Sequence, residues 1–498
     1  MEGIINALVY VLGNLHFLII GVAAGIIVGA IPGLSGSTGI ILMLPFLIYI
    51  DPPSALIMMS GLFCGSMFGG SIASILVSTP GTPSAAATVL DGYPLAKKGQ
   101  AGKAMGTALV ASTMGGIFST LCLIFLAPQL AKIALKFGPS EYFALMIFGL
   151  TIMASVSSSS LTKGLLSGFL GLLLSMVGLN PTLGTERFTF GVTRFLTGFS
   201  MMPVLIGLFA ISEVLTQLEL FSEGKIIQLS KKHKIGSIMP TRKEMKGLWK
   251  VILGSSVLGT IIGIIPATGG AIASFMAYNE AKRFSKDPES FGKGALVGVA
   301  ASEAANNATT GGAMIPLLTL GIPGDVVTSV MLGALMIIGV QPGPLLFSQS
   351  PQIVTDLFVG FMLAQFLMLV MGYLSIRASN LILRVPFGVL YPVILCFCLL
   401  GAYSLGNSVY DVGLAFVFGI VGYFMKKYGF SAPSVILGLI LGPIAEQELS
   451  KALIISHGDW TVLVRSPLSL MFYAFALASL IYSLGIFRKK NRAAKSMS

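Results

Sequence analysis

Long apolar stretches alternate with short polar or Pro-Gly breaks along the whole chain. A bilayer core about 30 Å thick takes about 20 mostly apolar residues per spanning helix, so the blocks are predicted to be membrane elements. They fall near 15–31, 36–50, 54–79, 105–128, 141–157, 163–179 and 196–217, then near 250–265, 268–281, 294–321, 357–376, 388–403, 409–424 and 432–447, with a last helix at 467–487. Pro-Gly pairs interrupt several of them. Irregular backbone at membrane depth is tolerated only where protein or a wet cavity satisfies it, so some blocks are expected to be half-helices or re-entrant hairpins. The start, Met-Glu-Gly-Ile-Ile, lacks a basic region and a cleavage site, so the first block is expected to stay in the membrane.

Composition narrows the class. Of 498 residues 55% are apolar and 10% charged, against roughly 25% charged in an average soluble domain, which excludes an ordinary soluble enzyme. Sixty glycines without a collagen period must sit inside packed structure. Four cysteines and three scattered histidines form neither a disulfide frame nor a transition-metal cluster. The net charge of +12 gathers in short breaks between apolar blocks, where it reports orientation and not a nucleic acid. Trp249 and Trp460 read as interfacial or packing residues.

The chain repeats itself. Gly25, Gly29, Pro32 and Gly36 align with Gly259, Gly263, Pro266 and Gly270 at one constant spacing; Gly69-Gly70 and Thr79-Pro80-Gly81 recur as Gly311-Gly312 and Ile322-Pro323-Gly324. The expected organisation is a first transmembrane repeat at 1–220, a basic linker at 221–250, a second repeat at 251–450, and a C-terminal helix and basic tail at 451–498. The linker carries Lys225, Lys231, Lys232, Lys234, Arg242, Lys243, Lys246 and Lys250, which the positive-inside rule assigns to the cytoplasm. Lys282, Arg283, Lys286 and Lys293 follow one break in the second half, whereas its counterpart Asp51-Pro52-Pro53 has no cation. The next pair reverses: Lys97, Lys98 and Lys103 mark the first half, and residues 340–356 carry none. Two reversals predict inverted repeats, with the amino terminus outside and Arg377, Arg384, Lys426, Lys427 and the tail Arg488-Lys489-Lys490 inside. Lys132, Lys136, Arg187 and Arg194 are exceptions to that pattern. The fold class is therefore an all-α polytopic membrane protein of two inverted-topology repeats with broken helices, an arrangement that places a solute near the midplane.

Candidate chemistry lies at the breaks. Pro32 and Gly33 end one block, while Ser35, Gly36, Ser37 and Thr38 open the next, where helix-terminal N–H groups attract carboxylates. Thr79, Pro80, Gly81, Thr82 and Ser84 form a second break; Thr268 and Gly269, and Pro323 and Gly324, are their partners in the other half. These are the candidate substrate-binding residues. Glu303, Asn306, Asn307 and Thr310 fall at i, i+3, i+4 and i+7, one polar face inside an apolar block; with Asp325 they are candidates for binding or gating a cation, since intramembrane carboxylates are costly. The Gly21, Gly25, Gly29 and Gly61, Gly65, Gly69 series suits close helix packing, and the Ser157–Ser160 run suits a turn.

Gly69-Gly70-Ser71-Ile72, Thr79-Pro80-Gly81-Thr82-Pro83, Asp91-Gly92-Tyr93-Pro94, Ser302-Glu303-Ala304-Ala305-Asn306-Asn307 and Gly321-Ile322-Pro323-Gly324-Asp325 closely resemble the large membrane subunit of tripartite tricarboxylate transporters, the TctA family. The resemblance implies uptake of citrate or another di- or tricarboxylate across the bacterial inner membrane, driven by Na⁺ or H⁺. It also implies a small TctB-like membrane subunit and a periplasmic TctC-like binding protein as partners. No cofactor or transition metal is expected, and no phosphate-binding Gly-Lys-Ser/Thr loop occurs. A gated anion channel and an intramembrane enzyme are the alternatives; the first lacks a ring of pore-lining charges, the second a recurring nucleophile and base.

Overall fold

The computed structural model describes residues 2–156, 160–180, 184–224, 235–266, 268–382, 386–404 and 406–495. Lys225, Lys231, Lys232, Lys234, Arg384 and Ser157 to Ser159, which enter the sequence reading, lie outside them. In chain order the helices are α1 (Glu2–Gly13), α2 (Leu15–Ala30), α3 (Gly36–Leu47), α4 (Pro52–Val77), α5 (Ala86–Lys97), α6 (Ala101–Ala134), α7 (Pro139–Val156), α8 (Leu161–Ser175), α9 (Met201–Leu205) and α10 (Ser212–Ser222). A π-helical turn at Ile206–Ile211 joins the last two. There follow α11 (Arg242–Ile264), α12 (Gly269–Arg283), α13 (Leu296–Leu320), α14 (Val326–Ile337), α15 (Pro344–Gln349), α16 (Pro351–Ile382), α17 (Phe387–Ser404), α18 (Val409–Lys427), α19 (Ala432–Ile455), α20 (Val462–Arg465) and α21 (Pro467–Lys495). One two-residue antiparallel pair, Gly178–Leu179 with Glu186–Arg187, interrupts the helices.

Among the described residues, six helices are long and apolar enough to cross a bilayer, or seven if α1 and α2, bent by 67° at their junction, count as one broken span. The protein is an all-α membrane protein. Three elements depart from the sequence reading. Segments α1, α5 and α14 are helices of 12 residues, each too short to span at 1.5 Å per residue, where the sequence pattern predicts a break or no membrane element.

Two compact units divide the chain: residues 1–131 with 213–405, and residues 132–212 with 406–498. Each half of the sequence contributes to both. In the first unit α2 packs along α4, and α11 along α13. Glycine makes both contacts close. A Cβ on Gly25 would stand 2.4 Å from the Leu62 carbonyl oxygen, and one on Gly259 2.4 Å from that of Ala305. Without a hydrophobic drive between helices in lipid, such small-residue seams supply dispersion contact instead. In the second unit the contacts are exchanged between halves: Gly171 of α8 lies against the Val435 carbonyl of α19, and Gly422 of α18 against that of Leu208 in the π turn.

Helix ends are set locally. Ile31 and Ile265, the C-caps of α2 and α11, share extended backbone angles (φ −90°, ψ 115° and φ −75°, ψ 116°). Ser78 and Gly321, the C-caps of α4 and α13, share the left-handed conformation (φ 61° and 69°). That conformation is free for glycine and strained for serine.

Candidate substrate and cation site

The sequence-selected breaks all lie in the first unit. Between α2 and α3, Gly33 takes a positive φ of 92° under Gln217, whose Nε2 would stand 2.1 Å from a Cβ there. Ser35 precedes α3 as its N-cap, yet its hydroxyl makes no capping bond; it pairs with Ser37 Oγ at 2.7 Å and Thr38 Oγ1 at 3.3 Å. The second-half counterpart behaves alike. Thr268 is the N-cap of α12 without a side-chain capping bond, because its hydroxyl donates backwards to the carbonyls of Ile262 and Ile265. The first-turn amides of α3 and α12 are thus left without a side-chain acceptor at their caps, and helix N-termini carry partial positive charge.

Each of these N-termini meets the residues that follow a Pro-Gly break of the other half. Gly36 at the start of α3 faces Val327 of α14, with Ser66 of α4 beneath it; Gly270 at the start of α12 faces Ser84, with Asn306 and Thr309 of α13 beneath it. Ser274 Oγ donates to the Ser84 carbonyl at 2.7 Å, and Thr82 Oγ1 and Ser84 Oγ are 3.1 Å apart. Both hydroxyl residues are buried. Pro80 and Pro323 stop the preceding chain, and the glycine after each lets it cross a helix: a Cβ on Gly81 would stand 2.1 Å from the Gly29 carbonyl, and one on Gly324 2.7 Å from that of Gly263. Gly81 also lies on the Gly70 Cα and Gly324 on the Ala313 Cα. The packing match therefore pairs Gly70 with Ala313, one residue beyond the Gly311-Gly312 register read from the sequence. Gly269, at φ 66°, has Asp325 as its neighbour.

Asn306 joins these two regions. Its Nδ2 donates to the Met67 carbonyl at 3.2 Å, and Met67 follows Ser66 along α4, while its Oδ1 is buried without a partner. Glu303, fully buried, accepts from Thr88 Oγ1 of α5 and from Ser112 Oγ of α6 at 3.0 Å. Asn307 is also fully buried, with neither amide atom partnered; Thr310 Oγ1 is turned onto the Asn307 carbonyl at 2.7 Å.

Asp325 stands apart from that stripe. It is the N-cap of α14, accepting from the Thr328 N–H at 2.7 Å while the Thr328 hydroxyl reaches back to the Asp325 N–H at 2.8 Å. That is a closed capping box. In effect α14 already holds a carboxylate on its N-terminus, whereas the matching position after Pro80-Gly81 is Thr82.

Two functional-looking residues were missed as site candidates. Asp91 accepts from Tyr278 Oη at 2.9 Å and from the N–H groups of Gly292, Gly294 and Ala295 at 2.8–2.9 Å, clamping α5 to the α12–α13 connection. Gln365, buried in the middle of α16, donates to Cys64 Sγ at 3.1 Å and leaves its Oε1 unpartnered. A lone amide inside an apolar block was the signal for the second; the first sits in a break whose helix was not foreseen.

The sequence pattern described as "Tripartite tricarboxylate transporter TctA family" matches residues 15–437. Two Agrobacterium vitis proteins are similar: an "Uncharacterized 52.8 kDa protein in TAR-I ttuC' 3'region", 35% identical over 95% of this chain and 93% of that protein, and an "Uncharacterized protein in TAR-II ttuC' 3'region", 36% identical over 45% of this chain and 93% of that protein. No solved structure matches.

Proposed function

From the premise that the chain belongs to the TctA family of tripartite tricarboxylate transporters and is a multi-pass membrane protein, we propose that it is the subunit that carries a small organic di- or tricarboxylate across the bacterial inner membrane. A periplasmic binding protein delivers the acid, a small membrane subunit completes the assembly, and a gradient of Na⁺ or H⁺ supplies the work. The two halves are inverted repeats, the amino terminus periplasmic and the carboxyl terminus cytoplasmic.

One observation carries the reading: α3 and α12 begin without side-chain caps, and each start faces the residues that follow a Pro-Gly break of the opposite half. An acid with two or more carboxylates has anionic groups to place on both. Ser35, Ser37, Thr38, Thr82 and Ser84 supply hydroxyl donors, and Asn306 between them supplies an amide. The Asp325 cap on α14 displays the same chemistry with an internal carboxylate. Such sites bind an anion without a full counter-charge, which lets it leave again on the other side.

The experiment is uptake into vesicles containing the reconstituted partners, with labelled di- and tricarboxylates under imposed sodium or proton gradients. Saturable, gradient-dependent uptake is expected, with Ser84→Ala and Thr82→Val raising the half-saturation concentration roughly tenfold each, the loss of about one hydrogen bond to a charged group. Single-channel currents, or uptake indifferent to both gradients, would overturn it.

A further inference from the structure

Away from the hydroxyl-lined breaks, a second polar cluster lies where α4, α6, α13 and α16 meet. Gln365 Oε1 rests on Gly116 of α6, so closely that a Cβ at Gly116 would stand 2.1 Å from it. Gln365 Nε2 is held by Cys64 Sγ, and the Thr310 side chain bonds to the same thiol. On α13, Ala304 has its carbonyl against Gly115, and Gly311 lies against Ser119. Asn307 is three residues after Ala304 and four before Gly311, so it occupies the same α6-facing side of the helix. Gln365 and the α6-facing Asn307, from different helices, thus flank the same stretch of α6, and both have buried, unpartnered oxygens.

The nearest acidic group is Glu303, one turn before Asn307 on the same face and bonded to Ser112, one turn before Gly116. Its bonded neighbours are neutral, hydroxyls and the Asn306 amide, and among the described residues no Lys, Arg or His forms an ion pair with it. A water molecule would relieve the orphaned amide oxygens. It would bring no charge to offset an ionised, buried carboxylate, which is costly to leave uncompensated. A cation answers both.

We propose that Asn307 Oδ1 and Gln365 Oε1, with the Glu303 carboxylate one turn away, form the seat of a monovalent metal cation the size of sodium. Neutral amide oxygens and a single carboxylate suit one positive charge; a divalent ion calls for more carboxylate. This deepens the cation-driven reading above and rests on it for its purpose, but assigns the ion a place apart from the acid and adds Gln365, which sequence reasoning passed over. It also separates Asp325 from the cation: that carboxylate caps α14.

The test needs neither acid nor partner proteins. Thermal unfolding of the purified full chain in detergent is followed in sodium, potassium and choline chloride at constant ionic strength. Sodium is expected to raise the midpoint saturably, and Gln365→Ala and Asn307→Ala to raise the half-saturating sodium concentration at least tenfold, while Ser256→Ala on α11 leaves it unchanged. Gln365→Glu keeps an oxygen at the same place and is expected to retain the sodium response, which keeps the proposal testable if the alanine variants fail to fold. Identical midpoints in sodium and choline, a stabilisation that follows pH with no preference for sodium, or a folded Gln365→Glu protein without a sodium response would each overturn it. A sodium response without carboxylate uptake would leave this seat standing and remove the acid site; uptake without a sodium response would do the reverse.

Discussion

The Tyr278 hydroxyl donates to the Asp91 carboxylate across 2.9 Å, tying together residues 187 positions apart. The other Asp91 oxygen takes three backbone N–H groups from the loop before α13. Removing the carboxylate strands four donors at once, and those that are buried, Tyr278 Oη and the Ala295 N–H, cost about 1–3 kcal/mol each, non-additively. Asp91→Ala is therefore expected to lose at least about 3 kcal/mol, and Tyr278→Phe about 1 kcal/mol. Thermal unfolding monitored by size-exclusion chromatography checks the ranking; equal effects would mean the loop does not depend on the clamp.

The glycine seams predict a matched pair of effects. A methyl group on Gly25 or Gly259 meets a backbone carbonyl of the facing helix at 2.4 Å, and backbone cannot rotate away. Gly25→Ala and Gly259→Ala should each cost about 1–3 kcal/mol by overpacking. Gly254, on α11 with nothing within 4 Å of its would-be Cβ, is the contrast: Gly254→Ala is expected to fold at least as well as the native chain. The same unfolding assay decides it, and a neutral Gly25→Ala would show that the α2–α4 seam yields.

Helix α4 opens on Asp51, which accepts from the Ser54 N–H at 3.1 Å and from the Tyr10 hydroxyl. Burial works against ionisation here, but those hydrogen bonds outweigh it and hold the carboxyl below its usual 3.8. A group whose pKa is lower when folded stabilises fully above its unfolded value and loses that contribution as pH falls through the folded one. The cap should thus be intact at pH 5 and above and fade below about pH 4. Asp51→Ala is expected to cost about 1 kcal/mol at neutral pH and to flatten the acid side of the stability profile; an unchanged acid slope would place the titration elsewhere.

The extent to which this architecture was legible follows from what periodicity and length report. Boundaries such as Ala30, Ile264 and Leu320 were readable because Pro, Gly and a following hydroxyl punctuate long apolar runs. Helix α14 was not, because its 12 residues, Val326–Ile337, are too few to span; the repeat itself marked their place, since α14 follows Pro323-Gly324 as α5 follows Pro80-Gly81. The stripe Glu303, Asn306, Asn307 and Thr310 was visible as a helical period, but that period does not reveal that Asn306 turns to Met67 while Asn307 lies on the side of the helix that packs on α6. Asp325 read as a functional charge because its capping partner Thr328 becomes apparent only once the helix it begins is known.

Topology supplies the last prediction. Helix α3 packs on α14, and α12 packs on the turn that begins α5; equivalent helices are exchanged between halves, as an approximate two-fold relation would have them. Packing alone fits an axis in the membrane plane or along its normal. The charges choose: the connection after α12 carries Lys282, Arg283, Lys286 and Lys293, and its counterpart at 51–53 has no cation, so the two are expected on opposite faces. With the native cysteines replaced, Pro53→Cys should react with a membrane-impermeant thiol reagent from outside intact cells, and Lys286→Cys should react only after permeabilisation. Labelling of both from one side would make the axis run along the membrane normal, and the uncapped starts of α3 and α12 would then point the same way across the bilayer instead of towards one another.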